Sequence, residues 1–155
     1  MLITQYKSLI GSHKVQYIDS ILQIDKQSND YAWSEKSWLN AFNNKQYLIE
    51  ALLIEDNLIG ISVWLKLDIA YELLHIVIHK DYQNQGLATN WLNYMCDKFS
   101  QQNYEIWLEV RQSNITAQKL YNKCGFKTVS KRKNYYPVYI NNTIINREDA
   151  LLMQK

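Results

Sequence analysis

The chain is short of the residues that interrupt folded structure. Proline occurs once, at Pro137, and glycine four times in 155 residues. So little of either excludes a collagen-like chain and leaves no stretch that reads as a flexible linker. Cysteine occurs only at Cys96 and Cys124, in no metal-ligand or redox spacing. That excludes a disulfide scaffold or zinc ribbon, and both thiols read as structural. No apolar run approaches the roughly 20 residues of a membrane helix, and "MLITQYKSLIGSHK" at the N-terminus lacks the apolar core of a signal peptide. The formal net charge of +2 is too small to argue by itself for nucleic acid or membrane binding. A cytoplasmic, metal-free monomer is expected.

The chain is instead rich in apolar and aromatic residues. The hydrophobic fraction is 47%, with 12 Tyr and 5 Trp, enough for a sizeable core in one domain spanning residues 1–155. Val15, Ile18, Ile21, Leu22 and Ile24 give helical spacing over Val15 to Lys26. Ser34 is placed to cap a second helix running to about Asn43. "QYLIEALLIEDNLIGISVWLKLD" reads as two strands turning at Asp56-Asn57, and "AYELLHIVIH" as a third, buried strand. Leu87, Trp91, Leu92, Met95 and Phe99 form one apolar helix face. "YEIWLEV" is the next strand. "NITAQKLYNKCGF" is the next helix, with Asn114 as its cap and Gly125 just past its end. Strands around Lys127 to Arg132 and Asp149 to Met153 complete an α/β or α+β domain.

One of the scarce glycines, Gly86, falls where the third strand gives way to a helix, in the nearly uncharged "DYQNQGLATNWL". The first amides of a helix lack intrahelical partners and carry the positive end of its dipole. A glycine there lets an anion come close to the backbone, and a site built from amides needs no charged side chain. A tight strand-to-helix turn explains the glycine equally well. No GxxxxGK or GxGxxG accompanies it, so a nucleoside triphosphate or dinucleotide loop is not indicated. Glu109 alternates with Leu108 and Val110 and is either a solvated strand residue or a functional acid. Tyr121 is either core or a proton donor. "KRKNYYP" is either a solvated strand edge or a small RNA-contact patch.

"QNQGLA", residues 83–88, resembles the Q/R-x-x-G-x-G/A signature of the GNAT superfamily of acetyl-CoA-dependent N-acetyltransferases. "WSEKSW", "WLEVRQSN", "LYNKCGF", "RKNYYP" and "EDALLM" are similar, in the same order, to the ribosomal-protein-alanine branch of that family, and they span residues 33–153. The resemblance implies a GNAT-type fold: a central mixed, mostly antiparallel sheet flanked by helices, with acetyl-CoA held at a splayed strand pair. It implies that Asn84, Gln85, Gly86, Leu87, Ala88 and Thr89 hold the pyrophosphate, that Ile76, Val77 and Ile78 run beside the pantetheine arm, and that Asn114 contacts the cofactor. Glu109 is implied as general base and Tyr121 as general acid, with Tyr135 and Tyr136 beside the acceptor. The implied partner is the N-terminal alanine of a small-subunit ribosomal protein, acetylated by direct transfer in a ternary complex.

His75 and His79 match no catalytic position and read as structural. Three features depart from the branch. His79-Lys80 stands where an acidic residue and proline are usual. Asn84 and Gln85 stand where arginine is frequent. "VYINNTIINR" before "EDALLM" is longer than expected. Two rival readings are a GNAT enzyme for a small amine such as a polyamine or aminoglycoside, and a catalytically silent acyl-CoA- or ribosome-binding module.

Overall fold

The computed structural model describes residues 4–9 and 13–155. Its centre is a seven-stranded sheet in the order β1-β2-β3-β4-β5-β7-β6. The strands are β1 (Thr4–Ser8), β2 (Tyr47–Ile54), β3 (Asn57–Lys66), β4 (Ala70–Ile78), β5 (Glu105–Arg111), β6 (Lys127–Ile140) and β7 (Thr143–Gln154). The helices are α1 (His13–Ser28), α2 (Glu35–Asn43), α3 (Leu87–Ser100) and α4 (Ile115–Lys123). Among the described residues, only β4 and β5 pair parallel; every other neighbouring pair is antiparallel. The mixed, mostly antiparallel sheet flanked by helices is therefore present.

Both faces of the sheet are covered, so the central strands are apolar on both sides. On one face, Trp64, Leu73, Leu108 and Met153 pack with Trp91, Leu92, Met95 and Phe99 of α3 and with Tyr121 of α4. On the other, Ile49, Ala51, Ile61, Val63 and Val77 pack with Ile21 and Ile24 of α1 and Trp38 and Ala41 of α2. The five-residue stripe of α3 is its buried face, with Leu87 at its half-buried edge. Ser34 caps α2 by accepting the Ser37 N–H at 3.1 Å, and Asn114 caps α4 by accepting the Ala117 N–H at 3.1 Å.

Several boundaries differ from the sequence reading. The β2–β3 turn falls on Glu55-Asp56, both left-handed at φ 49° and 64°, one residue before the expected Asp56-Asn57. A two-residue hairpin with both central residues at positive φ matches strand twist, and acidic residues tolerate it at a cost. β1 is a strand the sequence reading did not assign. The last two strands are much longer than Lys127 to Arg132 and Asp149 to Met153. They form one hairpin whose tip is Asn141-Asn142, both left-handed at φ 47° and 62°. Pro137 sits inside β6 without breaking it because β6 is the sheet edge, where a missing N–H faces away from the ladder. The long segment before "EDALLM" is thus the distal part of this hairpin.

Two features of β4 prepare the site. Its pairing with β3 shifts register around Leu74, which lies between the paired residues Leu73 and His75. A bulge of this kind bends and twists a strand. Its parallel pairing with β5 then covers only Ala70↔Glu105 through Leu73↔Leu108. Beyond that rung β4 runs on beside β3 to Ile78, and β5 runs on beside β7 to Arg111. The two strands part, and the edge of β4 that faces β5 is left open over Ile76–Ile78.

Candidate active site

The opening between β4 and β5 continues into a cleft of about 1160 Å³. One end is the start of α3. The first helical bond there runs from the Asn90 N–H to the Gly86 carbonyl at 3.0 Å, so the amides of Leu87, Ala88 and Thr89 precede the helical ladder and are available to an outside acceptor. Gly86 is the N-cap, left-handed at φ 78°, with no side-chain cap. A Cβ built on it meets nothing within 4 Å. Crowding inside the protein therefore does not require the glycine; the positive φ and the open approach to the backbone do. Asn84 is left-handed too, at φ 59°.

Side chains hold this loop from behind. The Gln83 amide donates to the Ile78 carbonyl at 2.9 Å and to the Ser28 carbonyl at 3.1 Å. Gln85 donates to the Asp81 carbonyl at 3.1 Å, and its side chain is a brace rather than part of the cleft wall. His79 Nδ1 accepts the Asp81 N–H at 3.3 Å. It thereby caps the short 3-10 turn Lys80–Tyr82, work that an acidic side chain does equally well. Asn84, Gly86, Leu87, Ala88 and Thr89 line the cleft, as do Ile76, Val77, Ile78 and Asn114. The positive charge missing from the loop comes from elsewhere: Lys26, Lys80, Lys119 and Lys123 all border the cleft.

These residues fit a nucleotide-linked acyl thioester. Free helix amides and a left-handed glycine suit a pyrophosphate, flanking lysines add charge, and an open strand edge can pair with the amides of an extended arm.

The other end of the cleft holds Glu109, Tyr121 and Tyr136. Tyr121, on α4, is 8% exposed, and burial raises its phenol pKa well above the ordinary value. It stays protonated, and so a donor, at any working pH. Glu109, on β5, accepts a hydrogen bond from Arg132 Nη1 at 2.9 Å, with its side chain 17% exposed. The two tyrosines separate. Tyr136 lines the cleft, and burial first, then the nearby Glu109 charge, push its pKa up to about 12. Tyr135 is more exposed; it lies under the Arg132 guanidinium at 3.9 Å and edge-on to Tyr136 at 4.9 Å. It adjoins the site through those two residues rather than lining it.

Sequence reading missed several groups here. Arg111 donates to Glu148 at 2.9 Å and to the Pro137 carbonyl at 3.0 Å, and its guanidinium lies between the rings of Tyr31 and Tyr136 at 4.7 and 4.5 Å. Arg132 sat unremarked in "KRK". Glu72 pairs in register with Trp107, two residues before Glu109. Alternation puts Glu72 and Glu109 on the same face of the sheet, a signal available only once the strand pairing is known.

Burial, and then the Glu109 charge, raise the Glu72 pKa above its usual 4.5, with Arg132 opposing. A carboxyl that holds its proton more tightly when folded costs stability once the pH exceeds its folded value. The cost fades as pH falls through that value and is gone below the unfolded one. Glu72→Gln is therefore expected to raise the Tm at about pH 7 and to leave it unchanged below about pH 4. Thermal unfolding at the two pH values checks this, and equal Tm shifts at both would contradict it.

A bent β4, a strand pair that opens, an amide-lined helix start at one end of the cleft and a tyrosine and a glutamate at the other suit an enzyme that draws its acyl group from coenzyme A. The Acetyltransferase (GNAT) family model matches residues 15–126, and the chain belongs to that family: it is an acetyl-CoA-dependent N-acetyltransferase. Among its relatives, it is 30% identical over 145 residues to the ribosomal protein bS18-alanine N-acetyltransferase of Escherichia coli K12, covering 93% of this chain and 94% of that one. It is 32% identical over 139 residues to the protein of the same description from Haemophilus ducreyi, covering 89% and 92%. The crystal structure of the Escherichia coli ribosomal-protein-S18-alanine N-acetyltransferase superposes with a TM-score of 0.81 at 28% identity, covering 98% of this chain and 92% of that one.

Proposed function

We propose that the chain acetylates the α-amine of a protein N-terminus, an alanine on a small-subunit ribosomal protein, by direct transfer from acetyl-CoA in a ternary complex. The observation that carries this reading is the full-length similarity to proteins described as bS18-alanine N-acetyltransferases, joined to a cleft whose reactive end suits an α-amine.

Bound acetyl-CoA supplies a thioester carbonyl. The residues of this chain do the rest. Glu109 takes the proton of the attacking amine, through water, as the N–C bond forms. A backbone amide of the open Ile76–Ile78 edge faces the developing oxyanion. As the C–S bond breaks, Tyr121 donates its hydrogen bond, and then its proton, to the departing sulfur. The raised pKa of Tyr121 opposes full transfer in the resting protein. The same apolar surroundings make an unpaired thiolate costly too, and so bring the two proton affinities together. Tyr136 walls the acceptor side directly, and Tyr135 acts through Arg132.

The amine must arrive neutral. An α-amine with a pKa near ~8 is roughly a tenth neutral at about pH 7, whereas a lysine near ~10.4 is neutral below roughly 0.1%. The acceptor end also suits a singly charged peptide better than a polycation. Two of the carboxylates near it, Glu109 and Glu148, are each held by an arginine at 2.9 Å, so neither offers free negative charge to gather several ammonium groups, and Asp30 is left bordering both cavities.

Beyond Arg111 a second cavity of about 470 Å³ opens between Asp30-Tyr31 and Pro137–Tyr139 of the β6–β7 hairpin. It gives residues after the first a place to lie. A short peptide beginning with alanine and followed by bulky or basic residues is expected to exceed spermidine, and a lysine peptide with a blocked N-terminus, by more than tenfold in kcat/KM. Steady-state kinetics on the three acceptors test this. A polyamine or lysine preference would reject the ribosomal-protein acceptor while leaving the acetyltransferase assignment in place.

A further inference from the structure

Asp25, near the end of α1, is 1% exposed, yet its carboxylate is fully engaged. Oδ2 accepts from the Trp33 N–H at 2.8 Å and from Trp38 Nε1 at 3.0 Å. Oδ1 meets His75 Nε2 at 2.9 Å and accepts from Asn29 Nδ2 at 3.0 Å. The His75 ring lies 4.8 Å from that of Trp33 and 5.4 Å from that of Trp38. Burial pushes the Asp25 pKa up, but the hydrogen bond and charge of His75 and the Trp33 N–H outweigh it and hold the carboxyl below its usual range.

A buried carboxylate is costly unless every lone pair is used, and an apolar cluster of the same volume often serves stability as well. What this carboxylate does that an apolar cluster would not is tie three elements to one point. They are the segment between α1 and α2, α2 itself, and β4 at its bulge, one residue before the open edge.

The segment it ties leads across the cleft. Asn29, bound to Asp25, accepts the Tyr31 N–H on its own Oδ1 at 3.0 Å. The Tyr31 hydroxyl meets Ser113 Oγ at 3.1 Å, 82 residues away, and its ring covers the Arg111 guanidinium. Tyr31, Arg111 and Tyr136 thus bridge the acceptor end, with the main cleft on one side and the smaller cavity on the other.

We propose that Asp25 and His75 are positioning residues, which fix residues 29–33 so that the Tyr31–Arg111–Tyr136 bridge sets the line along which an acceptor amine reaches Glu109. This rests on the reading of that end as the acceptor side. The pair acts only through the segment it holds.

The test uses the full chain with Asp25→Asn and His75→Gln, and Tyr31→Phe, which leaves the Asp25 cluster whole. In the first two variants, amide hydrogen exchange over residues 29–33 should quicken by about tenfold or more while α3 is unchanged. KM for an alanine-initiated peptide should rise about tenfold, with kcat within about threefold and acetyl-CoA affinity unaltered, because a displaced wall costs alignment rather than chemistry. Tyr31→Phe should raise the same KM without changing exchange at Trp33, and it carries the kinetic arm should Asp25→Asn fail to fold.

Unchanged exchange over 29–33, unchanged KM despite faster exchange, or a collapse of kcat at constant KM would each overturn the proposal. Wild-type protein that ignores the peptide would reject the acceptor assignment instead. The exchange comparison would still decide whether Asp25 and His75 hold the segment.

Discussion

Tyr121→Phe is expected to cut kcat by roughly a hundredfold or more while leaving acetyl-CoA affinity within about twofold, the scale usual for losing a general acid. The substitution removes one hydroxyl from a side chain that is 8% exposed and packed near Phe126 at 6.0 Å. Ring burial is kept, so the fold has little reason to change. What is lost is the hydroxyl proposed to donate to the departing sulfur. Calorimetry with acetyl-CoA and a continuous assay for released thiol separate the two quantities. Glu109→Gln should also lower turnover, by removing the acceptor of the amine proton. Near wild-type turnover in both variants would mean that Glu109 and Tyr121 are structural.

Gly86→Val is expected to weaken acetyl-CoA binding by tenfold or more in a protein that still folds. A β-branched residue at φ 78° is strained by about 1–2 kcal/mol, a sizeable loss but less than the roughly 5–15 kcal/mol that holds a typical domain folded. Because a Cβ there touches no protein atom within 4 Å, no clash inside the chain adds to that strain. The new methyl groups instead enter open space at a residue that lines the cleft. Gly86→Asn separates the two causes, since asparagine tolerates a left-handed backbone. Affinity restored by asparagine would show that the conformation matters. Affinity still lost would show that the phosphates need the bare backbone. Wild-type affinity in the valine protein would reject the loop as the pyrophosphate site.

Features written in consecutive residues were legible before the fold was known. The α3 stripe from Leu87 to Phe99, the caps Ser34 and Asn114, and the "QNQGLA" loop each declare themselves within a few turns of chain. Hairpin geometry was less legible. Glu55-Asp56 carries no glycine to mark a positive φ, so the turn was read one residue late. The β6–β7 hairpin was read as two short strands, because Pro137 reads as a strand breaker unless the strand is known to be an edge.

Long-range partnerships were not legible at all. Asp25 and His75 are 50 residues apart in the chain, and Glu72 meets Glu109 only through the parallel rungs of β4 and β5. His75 was read as structural, but its buried carboxylate partner could come only from the packing of α1 against the sheet. The role of Gln83 also changed in meaning. It opens the family signature, yet its side chain braces the loop against Ile78 and Ser28 while the backbone amides face the cleft.

The most direct measurement is tandem mass spectrometry of an alanine-initiated, lysine-containing ribosomal-protein peptide after incubation with the protein and acetyl-CoA. The account predicts one added acetyl group, carried on the first-residue fragment and therefore on the α-nitrogen, and absent when Tyr121→Phe replaces the wild type over the same interval. An acetyl group on the lysine fragment, or no transfer to the peptide while a polyamine is acetylated, would contradict it.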